Sequence, residues 1–359
     1  MVSVKDFTPY GFDFNGCRQI SFADYEKLKS SGCVPQKGDI LIGKDGARYF
    51  EDIIIYNQDE APALLSSIAI LRCDEEKVIP EYLYYLLKTP SFKKDVKDNY
   101  GSGSAIPRII LKDFKRMKVK YPSIEKQRQI VSILHDLDAK IFNNQKVNDN
   151  LEQQAAALFS SLYNRSNTEV RYTDLIQILG GGTPKTGETA YWNGNIAFFT
   201  PKDVGTPYTF ITEKTITEEG LSHCNSRLYP VNTVFVTARG TVGKVGLSGV
   251  PMAMNQSCYA LVGKETHQLL VYFYTLKAVD RLKHKASGAV FDAITTRDFD
   301  SEQIMKLSDD DAKAFLCVAE PMFQEILNNS IENLRLSTLR DFLLPKLMSG
   351  EIDVSSVQL

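Results

Sequence analysis

The sequence predicts an α+β protein made of two similar domains and two long helices that pack on one another. Three observations predict it: a long internal repeat, short apolar runs bounded by turn residues, and two polar-apolar stripes with sustained 4-3-4-3 spacing.

The repeat is direct. Ser102-Gly103-Ser104-Ala105-Ile106-Pro107-Arg108-Ile109-Ile110-Leu111-Lys112-Asp113-Phe114 returns as Ser287-Gly288-Ala289-Val290-Phe291-Asp292-Ala293-Ile294-Thr295-Thr296-Arg297-Asp298-Phe299, a constant shift of 185 positions. The same shift carries Ile141-Phe142-Asn143-Asn144 onto Ile326-Leu327-Asn328-Asn329. With small insertions, residues 35–45 fall on 230–240 and Lys5-Asp6 on Lys202-Asp203. Solenoid units run about 20 to 50 residues, so this period is a duplicated domain with its linker. A binder with two similar halves suits a target with two similar halves.

Composition sets the class. With 43% apolar and 24% charged residues the chain reads as soluble and globular, with length for two ordinary cores. No run approaches the roughly 18 uncharged apolar residues of a membrane span, so no membrane partner is expected, and no signal peptide opens the chain. Cys17, Cys33, Cys73, Cys224, Cys258 and Cys317 form no Cys-x-x-Cys pair. That spacing, with only four histidines, argues against a metal site and fits buried thiols in a reducing cytoplasm. The 42 basic and 44 acidic residues leave no basic excess. DNA contact therefore requires positive charge gathered on one face, or supplied by a partner.

Element by element, residues 33–121 read as one α+β unit. Residues 38–43, 53–56 and 67–71 are strand candidates, and 80–98 carries helical spacing through Leu83, Leu86 and Leu87. The second half repeats the plan at 231–237 and 258–262, with a helix over about 268–285. Between the units, residues 123–162 form one helix without Gly or Pro, on the order of 60 Å long at ~1.5 Å per residue. Ile130, Leu134, Leu137, Ile141, Asn144, Asn148, Leu151, Ala155 and Leu158 share one stripe of it. The 185-residue shift gives a second stripe: Phe315, Ala319, Met322, Ile326, Asn329, Asn333, Leu336, Arg340 and Leu343. Each stripe alone would suit packing on its own domain. Two stripes carrying the same paired asparagines fit packing on each other, because seam asparagines fix register. Pro321 should kink the second helix or mark its first turn.

Catalytic signatures are absent. Arg239-Gly240-Thr241-Val242-Gly243-Lys244 fails a phosphate loop, with Ala238 and Val245 where Gly and Ser or Thr are needed. Asp309-Asp310-Asp311 suits an acidic helix start better than a metal. Gly180-Gly181-Gly182-Thr183-Pro184-Lys185, followed by Tyr191-Trp192-Asn193-Gly194, predicts a tight turn that exposes backbone N–H groups and a lysine; Trp192 is expected in the core.

Gly-Gly-Thr-Pro with Tyr-Trp-Asn-Gly, Tyr121-Pro122-Ser123-Ile124-Glu125-Lys126-Gln127 opening one long helix, and residues 339–352 (Leu-Arg-Asp-Phe-Leu-Leu-Pro-Lys-Leu-Met-Ser-Gly-Glu-Ile) closing another occur in one order. In these motifs, over nearly its whole length, the chain resembles the specificity (S) subunit of type I restriction-modification systems. The resemblance implies target-recognition domains at 1–121 and 166–306 and spacer helices at 122–165 and 307–359 that pair as an antiparallel coiled coil. It implies that each domain reads half of a bipartite double-stranded DNA site. It also implies two modification (M) subunits bearing S-adenosylmethionine, and restriction (R) subunits using ATP and Mg, while this chain holds no cofactor and no catalytic residue. The alternative is a scaffold that binds modification subunits without reading a full site.

The expected DNA contacts are loops that recur in both halves with different side chains: Lys44, Arg48, Ser102, Gly103 and Arg108, then Arg239, Thr241, Lys244, Ser287 and Gly288, with Thr183, Lys185 and Lys202. The expected helix-pairing residues are Ile130, Leu134, Leu137, Ile141, Asn144, Asn148 and Leu151 against Met322, Ile326, Asn329, Asn333 and Leu336. An antiparallel seam sets Asn144 against Asn333 and Asn148 against Asn329. The repeat also sets Met1 near Phe198, leaving residues 170–197 without a first-half counterpart. A first domain lacking that strand should be less stable or rearranged, and should form a homodimer or pair with another chain to cover its sheet edge; the other reading is a start site further upstream.

Overall fold

A computed structural model describes residues 1–8, 11–101, 107–205, 207–285 and 293–354. The first half runs β1 (Phe7–Thr8), β2 (Gly11–Phe12), α1 (Phe22–Ser30), β3 (Ile40–Gly43), β4 (Ile53–Ile55), β5 (Ile68–Leu71), α2 (Pro80–Lys88), α3 (Pro90–Asn99), α4 (Leu111–Phe114) and α5 (Ile124–Arg165). Next come β6 (Thr168–Arg171), α6 (Tyr172–Leu175), β7 (Ile176–Gly180), β8 (Trp192–Phe199), β9 (Tyr208–Thr209), β10 (Lys214–Ile216) and α7 (Glu218–Ser222). The chain closes with β11 (Val234–Thr237), β12 (Val245–Ser248), β13 (Met252–Met254), β14 (Cys258–Gly263), α8 (Gln268–Lys285), α9 (Thr296–Asp300), β15 (Gln303–Lys306) and α10 (Asp309–Ser349). It divides into two compact units, Met1–Ile141 with Leu334–Leu359, and Phe142–Asn333. Both divisions fall inside long helices, so each unit contains an α+β domain together with part of α5 and part of α10.

In the first unit, β3 is the middle of an antiparallel sheet ordered β4-β3-β5. Its run Ile40-Leu41-Ile42 is buried on both faces, which is why it is continuously apolar. Ile40 and Ile42 join Phe50, Ile53, Ala69 and Leu87 on one face. Leu41 joins Ile54, Tyr56, Leu64 and Ile68 on the other. The predicted helix over 80–98 is two helices. Pro90 forces Thr89 into extended backbone (φ −60°, ψ 140°), and Thr89 Oγ1 then caps α3 by accepting from Phe92 N at 3.3 Å.

The second unit repeats the sheet core inside a larger one. A five-stranded sheet runs β7-β14-β11-β12-β9, beside a three-stranded sheet β10-β8-β13. Val234 of β11 faces Leu247 and Leu261, as Ile40 faces Ile55 and Leu71. The loop after each middle strand bridges the segment that follows the Ser-Gly stretch: Asp45 pairs with Arg108, and Arg239 with Ala293. These bridges align Asp45 with Arg239, one residue off the register read by matching 35–45 to 230–240.

Helix α5 begins at a clamp that the sequence reading did not resolve. Gln127 is fully buried. Its Nε2 donates to Lys77 O and Pro122 O, both at 2.9 Å, and its Oε1 accepts from Ile79 N at 3.0 Å. One glutamine thus ties the helix start to the chain entering α2. Within the first unit, Ile130 and Leu134 pack with Leu344 and Leu347 of α10 and with Tyr82 and Tyr85 of α2. Asp138 accepts from Arg340 Nη1 at 2.7 Å and from the Tyr85 hydroxyl at 2.8 Å.

Within the second unit, Asn144 is buried and its Nδ2 donates to Asn333 Oδ1 at 2.9 Å and Glu332 Oε2 at 2.7 Å. Asn329 Nδ2 donates to Asn148 Oδ1 at 3.0 Å. Partner numbers fall as helix position rises, so the strands of this seam run antiparallel. Leu151, Met322 and Ile326 pack in one core with Phe159, Phe315 and Phe323. In the first unit Ile141 is buried, while Leu137 and Leu336 are half-buried. Pro321 does not open α10 as a separate start: the helix begins at Asp309, where Ser308 Oγ accepts from Asp311 N at 3.1 Å, and continues through Pro321 to Ser349. The three aspartates occupy that positive first turn, and the exposed Pro321 leaves one helical carbonyl without its backbone donor.

The seam yields a prediction. Asn144→Leu strands the Asn333 amide and should lower the unfolding free energy by about 1–3 kcal/mol. Adding Asn333→Leu should recover much of that loss. A urea double-mutant cycle measures the coupling, and purely additive losses would contradict the pairing.

Candidate nucleic-acid interface

The loop between β11 and β12 turns on two glycines with left-handed backbone, Gly240 (φ +81°) and Gly243 (φ +73°). Thr237 holds its base: its Oγ1 accepts from Lys244 N at 2.9 Å, and its carbonyl accepts from Gly243 N at 2.8 Å. Thr241 Oγ1 donates to Pro201 O at 3.0 Å, so this hydroxyl tethers the loop to the turn after β8. That turn is itself capped, Asp203 Oδ2 accepting from Thr200 N at 2.8 Å and from Thr200 Oγ1 at 2.6 Å. The result is an open cleft of about 490 Å³ lined by Lys202, Lys214, Arg239, Thr241, Asn255 and Glu213 among others.

Three cations therefore converge on one concave surface. Lys202 Nζ lies 3.5 Å from Glu213, both side chains exposed, so solvent screens that pair. Arg239 and Lys244 are exposed and, among the described residues, have no acidic partner within ion-pair distance. Lys214 was not foreseen from sequence. It stands on β10 with its Nζ 5.5 Å from the Trp192 ring centroid, and neither repeat nor motif marks it.

The Gly-Gly-Thr-Pro segment serves a different purpose from the one its composition predicts. Gly182 is buried and its N–H is spent on Met254 O at 3.1 Å. A Cβ on Gly181 would lie 2.2 Å from Asn255 O, and one on Gly182 would lie 2.6 Å from Asn225 N. The glycines are there for close backbone packing, not to expose an N–H nest. Thr183 is exposed and its hydroxyl donates to Gln256. Lys185 is exposed, and its carbonyl accepts from Trp192 Nε1 at 3.1 Å. Trp192 is half-buried, edge-on to Phe198 with centroids 5.5 Å apart.

The equivalent loop of the first unit is laced with ion pairs. Lys44 Nζ is 3.2 Å from Asp45, and Arg48 is 2.8 Å from Asp52. Glu51 is held below its usual carboxylate range by hydrogen bonds from Lys93 and Lys97. Arg108 is exposed beside this loop, where Ile109 N donates to Lys44 O at 2.9 Å. Ser102, Gly103, Ser287 and Gly288 lie outside the described residues. The structure thus brings Lys44 near Arg108 in one unit and gathers Lys202, Arg239 and Thr241 in the other.

Comparison with known proteins identifies the class. Residues 11–153 and 164–306 each match the type I restriction modification DNA specificity domain. The chain belongs to that family: it is a type I restriction-modification specificity subunit with two target-recognition domains, a DNA-recognition component and not itself a catalyst. It is 24% identical to the MjaIX specificity subunit of Methanocaldococcus jannaschii over 310 residues, 79% of this chain and 71% of that protein. It is also 24% identical to the HindI specificity subunit of Haemophilus influenzae, covering 88% of this chain and 87% of the relative. The crystal structure of a type I S subunit from M. genitalium shares the fold, with a TM-score of 0.57 and 16% identity over 87% of this chain and 83% of that one.

The glycine geometry makes a clean test of the second unit. Gly181→Ala should destabilise it by about 1–3 kcal/mol, because the new methyl meets backbone that has nowhere to move. Gly187→Ala, facing open space, should leave the melting temperature unchanged. Calorimetry of the two variants decides; equal melting temperatures would contradict the close-packing argument.

Proposed function

We propose that each domain of this specificity subunit reads one half of a bipartite double-stranded DNA site, with the second unit supplying the firmer backbone grip. The observation that carries this reading is the meeting of Lys202, Lys214 and Arg239 on one cleft of a chain whose formal net charge is only −2. Phosphate contact needs local positive charge rather than a basic protein, because each neutralised phosphate releases bound counterions. Thr183, whose hydroxyl donates to Gln256 between the cleft-lining Asn255 and Ser257, is a further contact in this reading, as are Lys185 and Lys244, and loop side chains approaching base edges supply sequence readout. Lys44, Arg48 and Arg108 act in the first unit, where a phosphate must compete with Asp45 and Asp52 for the first two.

In this reading the paired helices hold two modification subunits, which carry S-adenosylmethionine. Restriction subunits with ATP and Mg join through the complex, and the assembly works in the cytoplasm. This chain binds none of those cofactors. A second reading, a scaffold that engages modification subunits while reading only part of a site, draws support from the ion-paired first loop.

Arg239→Ala with Lys214→Ala, in the assembled complex, should weaken DNA binding and reduce the slope of log affinity against log salt by about 1 to 2. Lys44→Ala with Arg48→Ala should change both less, since those cations already have acidic partners. Titrations at several salt concentrations test this, and an unchanged slope for the first pair would remove the cleft from the interface.

A further inference from the structure

We propose that the outer edge of β5 is a docking site for an extended peptide strand with the chemistry of β7 and its Gly-Gly-Thr-Pro turn. The internal repeat supplies the template. Ile40 faces Leu71 and Gly43 faces Ile68, just as Val234 faces Leu261 and Thr237 faces Cys258. On its far side β14 is fully paired with β7, with Tyr259 opposite Gly180, Leu261 opposite Ile178 and Gly263 opposite Ile176. Among the described residues no strand occupies that side of β5. A sheet edge with unpaired N–H and C=O groups is a template for strand addition.

Burial agrees with an unfilled place. Ala260 and Leu261 are fully buried, whereas their counterparts Ile70 and Leu71 are only half-buried. Leu65, beside them, is an exposed large apolar residue.

The turn that follows β7 has a receptor here too. Val2 bridges Leu64 in parallel register, as Phe199 bridges Met254. Leu65 N donates to Val2 O at 2.9 Å, as Asn255 N donates to Phe199 O at 3.0 Å. The caps match as well: Asp6 accepts from Ser3 N at 2.7 Å where Asp203 accepts from Thr200 N at 2.8 Å. Leu64 therefore stands where Met254 stands. The Met254 carbonyl accepts from Gly182 N at 3.1 Å, and among the described residues the Leu64 carbonyl has no such donor.

The occupant follows from the same comparison. A second copy of this chain is a poor one, because lending its β7 would open an equal edge on its own β14. A separate segment suits better: extended, antiparallel to β5, with apolar residues as in Ile176-Gln177-Ile178-Leu179, then two glycines. The glycines matter because a Cβ at the first would strike the carbonyl of the Asn255 counterpart, Leu65.

The test uses the full chain and a fluorescent peptide of residues 172–193. Anisotropy should show saturable binding, and amide exchange over residues 68–73 should slow by roughly tenfold or more. A peptide with Gly181→Val and Gly182→Val should bind at least about tenfold more weakly. Absent binding, equal binding by the valine peptide, or protection confined to residues 258–263 would each overturn the proposal. None of these readouts involves DNA, so their failure leaves the DNA reading untouched.

Discussion

The register of the α5–α10 seam is the constraint on which this structure depends. Asn329 is the repeat's copy of Asn144, and Asn333 is the copy of Asn148. Each asparagine hydrogen-bonds to the copy of the other, so a duplicated sequence makes a self-complementary contact. A slip of one heptad would set Asn144 against Ile326 and Asn148 against Met322, at about 1–3 kcal/mol for each unsatisfied amide. Leucines at the same places would bury more apolar surface and tolerate several registers. The asparagines give up stability and leave one.

On the two domains, duplication kept the frame and changed the loops. Phe50 takes the place of Gly243: its N–H reaches Gly43 O at 2.7 Å, as that of Gly243 reaches Thr237 O at 2.8 Å. Both sit at positive φ, natural for glycine and costly for phenylalanine. Phe50 is held there by complete burial of its ring against Phe92 and Phe114. The first loop is consequently anchored in the core and crossed by ion pairs. The second is a glycine turn with its cations free to meet an anion. The same strands thus carry two chemically different surfaces.

Much of this was legible in the sequence. The 185-residue shift gave the duplication, and heptad spacing gave a seam whose asparagine partners follow from antiparallel geometry alone. Helix α8 was readable because no proline interrupts it. The break at Thr89 was equally visible in Pro90 but was outweighed by the leucine spacing around it. What sequence left dark depends on the third dimension. Lys214 enters the cleft only because β10 folds beside β8, and the glycines of Gly-Gly-Thr-Pro are explained by backbone arriving from residues 254–255. The seven-residue motif opening α5 was recognisable, but the clamp made by Gln127 needed coordinates for its three partners.

The central claim is that this chain sets DNA sequence specificity for a modifying complex. Methylation sequencing of cells with and without the chain tests it most directly. The account predicts loss of adenine methylation at one bipartite motif, with every other modified motif unchanged. An identical methylation pattern in the two strains, with the modification subunit still present, would contradict it.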